Sequence, residues 1–352
     1  MDIKKVLASS KYNPPKHPAH SFTGKTVLIT GSNTGLGLAA AKKIASLGAK
    51  RIILGVRNLE KGERAKTEVA ECAKDELLIQ VKHVDMERFS SVREFAQTVC
   101  SDLGAESLDV VLLNAGVTFL KPHTSSEGWR SEIQVNALST ILLAILLLPK
   151  LKESVKDGNI PILTFTSSGT HKYVPTSFFE DLPRKTEADT PLLSYWSQPD
   201  FWPGHQQMYG LSKLLLELGI HILTEKVIIR SPTTQDLDIV INSCCPGICR
   251  SEFSRDFTQQ STLYSVIYQL ISKLLLRTAE EGSRTLVSAT TLGPESHGRF
   301  WQNDQIVLED RGVMSGPQRE ELARKVWAEM MTIFRTAAPE VEDILGKDVM
   351  YL

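Results

Sequence analysis

The sequence predicts an α/β fold, a doubly wound parallel sheet with helices on both faces, and three observations carry that prediction. Short β-rich runs alternate with helical stretches from residue 25 onward. Glycines cluster between the first run and the first helix. The 352 residues suffice for one large domain, because the buried fraction of surface rises with chain size. Such alternation implies right-handed βαβ units and a sheet covered on both sides.

Residues 1–20 read as an N-terminal arm, polar and without the apolar core of a signal peptide. Residues 21–352 read as a single domain. Lys25 to Thr30 is a short buried strand that runs into a glycine-rich turn and an alanine-rich helix over Leu38 to Leu47. Arg51 to Val56 is a second strand, followed by a charged helix from Asn58 to Cys72. Leu77 to Val84 and Asp109 to Leu113 are further strands, separated by a helix over Ser91 to Cys100. A long helix from Glu127 to Leu151, a strand at Pro161 to Thr166, a helix around Tyr209 and a strand at Asp238 to Ser243 continue the pattern. The apolar run Ile141 to Pro149 is far shorter than the roughly 20 residues that span a bilayer, so it reads as part of a buried helix.

Over about 170–206 the periodicity lapses. This stretch carries Pro175, Pro183, Pro191, Pro199 and Pro203 with an aromatic cluster of Tyr195, Trp196, Phe201 and Trp202. A long irregular segment inside a compact domain is usually functional or disordered. It reads as an insertion, because sheet and helix signals resume after it. Its aromatic residues either roof an apolar substrate, with Trp196 and Trp202 as the contacts, or pack the insertion onto the domain.

Composition narrows the function. Hydrophobic content of 42%, charged content of 23% and a net charge of −1 describe a soluble globular protein. They give no case for nucleic acid or an anionic membrane surface as a partner. Five cysteines, with Cys244 and Cys245 adjacent, form neither a disulfide framework nor a spaced metal motif. No metal is expected, and a reducing cytoplasm is the simplest setting.

Two motifs carry chemistry. Tyr209 and Lys213 stand four residues apart on a helical stretch, so they share a face. A cation there is expected to lower the phenol's pKa and fit it for proton transfer with a carbonyl or alcohol. Upstream, Thr30-Gly-Ser-Asn-Thr-Gly-Leu-Gly37 lies between strand and helix, where a dinucleotide fingerprint of a Rossmann-type fold belongs. Its Gly31, Gly35 and Gly37 allow a tight turn and close approach to a pyrophosphate, with Ser32, Asn33, Thr34 and Leu36 between them. The second strand ends in Val56-Arg57. An acidic residue there would suit a ribose hydroxyl, whereas the Arg57 guanidinium suits a 2′-phosphate. Asp85 either caps a turn or bonds an adenine amino group.

Together with Asn114-Ala-Gly116, these motifs make the chain resemble the short-chain dehydrogenase/reductase family over roughly Gly24 to Asp304. The resemblance implies that Asn114, Ala115 and Gly116 steady the sheet and line the cofactor, and that Asp85 and Met86 meet the adenine. Asn136 matches the helix asparagine that holds a relay water. Ser168, rather than Ser167, matches the serine that bonds the substrate carbonyl. Pro246 and Gly247 match the turn that meets the nicotinamide, and Ser251 stands where the family often has threonine. Residues 251–277, with the apolar stretch Leu263 to Leu276, match a substrate lid and lack the basic face that membrane binding favours. Homo-oligomerisation is a family-level expectation. The 41-residue interval from Ser168 to Tyr209 far exceeds that of compact members. It resembles retinol-dehydrogenase-like and fungal secondary-metabolism branches, as do Asp85-Met86 and Glu281-Gly-Ser-Arg284.

The function so implied is an NADP(H)-dependent oxidoreductase that moves a hydride between the nicotinamide and a bulky, fairly apolar ketone or alcohol, with reduction favoured. The alternatives are a non-redox isomerase or dehydratase on the same fold, and a silent dinucleotide-binding protein. Beyond Asp304 the sequence offers no motif.

Overall fold

A computed structural model of the chain describes residues 13–155, 159–175, 177–180, 191–226, 237–250, 276–307, 314 and 318–346. Its strands are β1 (Thr26–Thr30), β2 (Arg51–Val56), β3 (Leu78–His83), β4 (Val110–Leu113), β5 (Ile162–Thr166), β6 (Val240–Cys245), β7 (Phe300–Gln302) and β8 (Gln305–Val307). They form one sheet in the order β3-β2-β1-β4-β5-β6-β7-β8. β1 to β7 pair in parallel and β8 returns antiparallel on the edge. The chain leaves β1 toward β2 on one side and β4 adjoins β1 on the other, so a crevice opens at the carboxyl ends of β1 and β4. Open α/β sheets bind ligands at such a switch point.

Alternate residues of the strands feed two cores. Val27, Ile29, Ile52, Leu54, Val110 and Leu112 face α1 (Gly35–Ser46), α2 (Leu59–Ala70) and α8 (Ala279–Ala289). Leu28, Ile53, Val111, Leu113, Leu163 and Phe165 face α3 (Phe89–Leu103), α4 (Ser131–Glu153) and α7 (His205–Lys226). Local chemistry sets the helix ends. The Asn58 side chain accepts the Lys61 amide and starts α2, and Thr278 with Glu281 forms a capping box that starts α8. α7 crosses α4 closely because Gly219 has no side chain: a Cβ there would stand 3.0 Å from Ile141.

α4 is long and apolar enough to cross a membrane, yet its apolar window is wholly buried inside the fold. Part of its cover comes from beyond Asp304, where α9 (Gln318–Ala337) and α10 (Glu340–Leu345) follow. Val326, Trp327, Met330 and Phe334 of α9 and Val341 of α10 join the same core as the α4 leucines. α9 packs along α7, and α10 packs on α4.

Within the insertion lie a 3-10 turn (Gly169–Tyr173), α5 (Ser177–Glu180) and α6 (Leu192–Trp196). Trp196 is fully buried and meets Phe179 edge to face at 5.7 Å. Tyr195 and Phe201 pack together at 5.4 Å, with Phe178 against Phe201 at 5.9 Å. Trp196 therefore offers no surface to a substrate, and of the two readings from sequence its burial corrects the substrate contact in favour of packing. It plugs the insertion into the core. Trp202 is half-buried beside Arg130, whose guanidinium sits 5.7 Å from its ring.

Candidate active site

The glycine-rich turn is built by contacts that admit no side chain. Gly31 takes φ +63, and a Cβ on it would lie 2.9 Å from the Ala115 backbone. A Cβ on Gly37 would lie 2.3 Å from the Gly31 carbonyl and 2.6 Å from the Asn114 side chain. Asn114 explains that closeness, because its Nδ2 donates to the carbonyls of Thr30 at 3.1 Å and Gly31 at 3.2 Å. Thr30, which sequence reasoning missed, completes the joint: its hydroxyl oxygen accepts the amides of Asn114 and Ala115 at 3.0 and 3.1 Å. At the start of α1, Thr34 makes no side-chain cap and the first turn holds no acidic residue. The helix thus presents its amide donors and positive dipole end to an anion.

Arg57 follows β2 with its side chain 67% exposed, and its guanidinium lies 3.8 Å from Glu87. Of the two readings of Asp85, turn capping is seen directly, since its Oδ1 accepts the Glu87 amide at 3.1 Å. The Met86 side chain is buried in the core, and its carbonyl accepts the Ser139 hydroxyl at 2.7 Å. Pro246 and Gly247 follow β6, with Gly247 at φ +79. The carbonyl of Pro246 accepts Nη1 of the buried Arg277 at 2.9 Å, and the same guanidinium reaches Asn13 in the arm and Asn303 after β7. Ser251 and residues 263–275 of the expected lid lie outside the described residues.

At the end of β5, Ser168 caps the 3-10 turn, and its hydroxyl oxygen accepts from the Thr170 hydroxyl at 3.0 Å. Its hydroxyl lies beside the Tyr209 phenol, where it favours the ionised form. Ser167 is buried inside the sheet instead, and its amide donates to Cys244 at 2.8 Å. Tyr209 and Lys213 lie one turn apart on α7, with the ammonium 5.8 Å from the phenol ring centre. Lys213 donates to the Thr166 carbonyl at 2.8 Å.

Burial dominates the electrostatics. It pushes the Tyr209 phenol above its ordinary value, against the opposing effect of Ser168. The lowered phenol pKa expected from the neighbouring lysine is therefore corrected: sequence spacing reveals the cation but not the loss of water. Burial also draws the Lys213 amine down to about 8. A phenol held protonated is equipped to donate.

Asn136 sits in a π turn over Gln134–Leu138 within α4, a distortion common at functional sites. Its Nδ2 donates to the Val117 carbonyl and to Ser212 Oγ, both at 2.9 Å, while its Oδ1 accepts the Val117 amide at 2.8 Å. Both amide hydrogens are committed to protein, so its side chain braces the turn after Gly116 against α7. One turn earlier, the fully buried Glu132 accepts the Phe119 amide through Oε1 at 3.1 Å. Among the described residues its Oε2 has no hydrogen-bond partner, and burial pushes the carboxyl up to about 7.

Known proteins resemble this chain in sequence and fold. A family profile described as short chain dehydrogenase matches residues 25–177. The short-chain dehydrogenase/reductase phmF of Phaeosphaeria nodorum is 37% identical over 341 residues, covering 96% of this chain and 94% of its own. The short-chain dehydrogenase/reductase ffsI of Aspergillus flavipes is 34% identical over 342 residues, 95% of this chain and 93% of its own. Among solved structures, the Pseudomonas aeruginosa RhlG/NADP active-site complex shares the fold with a TM-score of 0.57 at 21% identity, over 82% of this chain and 97% of that one.

Proposed function

The chain belongs to the short-chain dehydrogenase/reductase family, and on that premise we propose that it is an NADP(H)-dependent carbonyl reductase for a bulky, fairly apolar ketone. The observation that carries the proposal is the Ser168 hydroxyl beside the Tyr209 phenol, with the Lys213 ammonium one turn along the same helix. A dinucleotide fits the residues present. The uncapped first turn of α1 suits a pyrophosphate, and the exposed Arg57 suits a 2′-phosphate. The close joint of Gly31, Gly37 and Asn114 keeps side chains out of its path.

When bound, the dinucleotide supplies the hydride. Ser168 is proposed to orient the substrate oxygen, and Tyr209 to donate the proton to it. Donors aimed at a developing alkoxide stabilise the transition state more than the ground state. Lys213 keeps a positive charge beside the phenol that becomes anionic as its proton leaves. Asn136 holds the turn after Gly116 in place. A cytoplasmic setting is part of the proposal, supported by five cysteines of which none is paired.

The test is NADPH oxidation by the purified protein across cyclic and polyketide-like ketones, with Tyr209→Phe beside it. The variant is expected to lose on the order of a hundredfold or more of the turnover. Full turnover by Tyr209→Phe would remove the proposed donor. Arg57→Ala should weaken NADPH far more than NADH; equal losses would remove the 2′-phosphate assignment.

A further inference from the structure

Titratable side chains recur at every fourth position down α7: Tyr209, Lys213, Glu217 and His221. The positions between them include Leu214, Leu215, Leu216, Leu218 and Ile220, all buried. Residues four apart stand on neighbouring turns of one face. Tyr209 and Lys213 belong to the proposed chemistry. His221 is engaged at the far end, by Glu320 at 2.9 Å and Glu225 at 3.2 Å. Glu217 belongs to neither group, yet it lies 5% exposed directly below a lysine that is 3% exposed.

The strands fix where both side chains point. Glu217 Oε2 accepts from Ser243 Oγ at 3.2 Å, on β6. Ser243 pairs with Phe165 of β5, and the next residue is Thr166, whose carbonyl receives Lys213. Acid and ammonium therefore rest on adjacent points of two neighbouring strands. Holding a carboxylate out of water costs several kcal/mol unless something offsets it. A leucine would fill this leucine-lined site without that cost.

We propose that Glu217 is a positioning residue of the site, its buried carboxylate holding Lys213 as an ammonium aimed at the carboxyl end of β5; the inference rests on the role given to Lys213 above. Glu217 counters the burial that draws the lysine down. The other groups facing the ammonium are the Cys244 and Cys245 thiols of β6 and Tyr209 on its own helix. Burial keeps both thiols protonated. The electrostatic support for the lysine therefore comes from the carboxylate.

The test is an NMR titration of cofactor-free protein carrying ¹³Cε-lysine, with the Lys213 signal assigned by its loss in Lys213→Arg. Glu217→Gln is expected to lower the Lys213 midpoint by about one pH unit, roughly tenfold in acidity. An unchanged midpoint overturns the proposal. Glu217→Asp keeps the charge but withdraws it by one methylene, and an intermediate shift of roughly threefold is expected. If Glu217→Gln fails to fold, that variant decides, and no shift in it overturns the proposal equally. The high-pH limb of the NADPH-dependent reduction profile should move down with the midpoint. Because the titration needs no turnover, a shifted midpoint in a protein that reduces no ketone sinks the reductase reading alone. An unshifted midpoint in an active reductase sinks this inference alone.

Discussion

Asn136 donates to Ser212 Oγ at 2.9 Å, which ties the π turn of α4 to the residue just before Lys213 on the catalytic helix. The Ser212 hydroxyl in turn donates to the Tyr209 carbonyl at 2.8 Å. Ser212 touches no reacting atom, but it joins the two helices whose spacing aims the phenol. Ser212→Ala removes both bonds, of which the one to Asn136 joins the helices and is worth about 1 kcal/mol. A roughly fivefold fall in kcat with an unchanged Kd for NADPH is expected from steady-state rates and fluorescence titration. An unaltered kcat would show that the two helices hold their spacing without it.

Gly37→Ala should be far more damaging than its size suggests. The added methyl would meet the Gly31 carbonyl at 2.3 Å and the Asn114 amide at 2.6 Å, neither of which can yield without opening the turn. Overpacking of this kind costs about 1–3 kcal/mol. NADPH binding, followed by quenching of tryptophan fluorescence, should weaken by at least about tenfold. Wild-type affinity in the variant would contradict the rigid joint.

Glu132 makes stability depend on pH. Its carboxyl rises from 4.5 to about 7 on folding, so between those values the native state holds the extra proton. That contribution is full below 4.5 and is lost as pH rises through about 7. Glu132→Gln, which keeps an acceptor for the Phe119 amide, should therefore gain up to about 3 kcal/mol over wild type at pH 8. Near pH 4 the two proteins should match. Urea unfolding at both values checks this, and an equal difference at both would contradict it.

Arg130 is the bolt of the insertion. Buried at the start of α4, it donates to the carbonyls of Gln198 at 2.7 Å and Phe201 at 3.2 Å and stacks near Trp202. Arg130→Met should leave the Phe201 carbonyl without its donor and the Gln198 carbonyl with the Phe201 amide alone, at 3.1 Å. Hydrogen exchange over residues 198–202 should then rise by at least about tenfold. Unchanged exchange would place the anchorage elsewhere, on Glu329, whose carboxylate accepts the amides of Leu192 and Leu193.

The sequence made some features plain for physical reasons. β2 spans the predicted Arg51–Val56 because a buried parallel strand has no polar alternation to blur its ends. Asn58 marks the start of α2 because its side chain has a local partner. Glu281-Gly-Ser-Arg284 acquires its reason only in three dimensions: Glu281 caps α8, while a Cβ on Gly282 would strike Cys249 at 2.4 Å and Leu36 at 2.7 Å. What stayed hidden depended on burial or long-range contact. The proximity of Lys213 to Tyr209 was legible, but the desolvation that outweighs it was not. Sequence left Trp196 open between a substrate contact and a packing residue, and its burial decides for packing. β7 and β8 have three residues each, too short for any period to show. α9 does carry an apolar stripe through Leu322, Val326 and Met330, but a stripe alone says nothing of what it covers.

What it covers is α4 and its neighbour α7. Gly219 of α7 leaves a gap that Met330 closes from α9, and Arg93 on α3 holds α10 down through Glu340 at 2.6 Å. An apolar helix left bare on one flank must borrow a second copy to hide it, and its folding then obeys mass action. Here the flank is closed by the tail of the same chain. The burial of this flank accordingly adds no concentration-dependent term to the unfolding free energy.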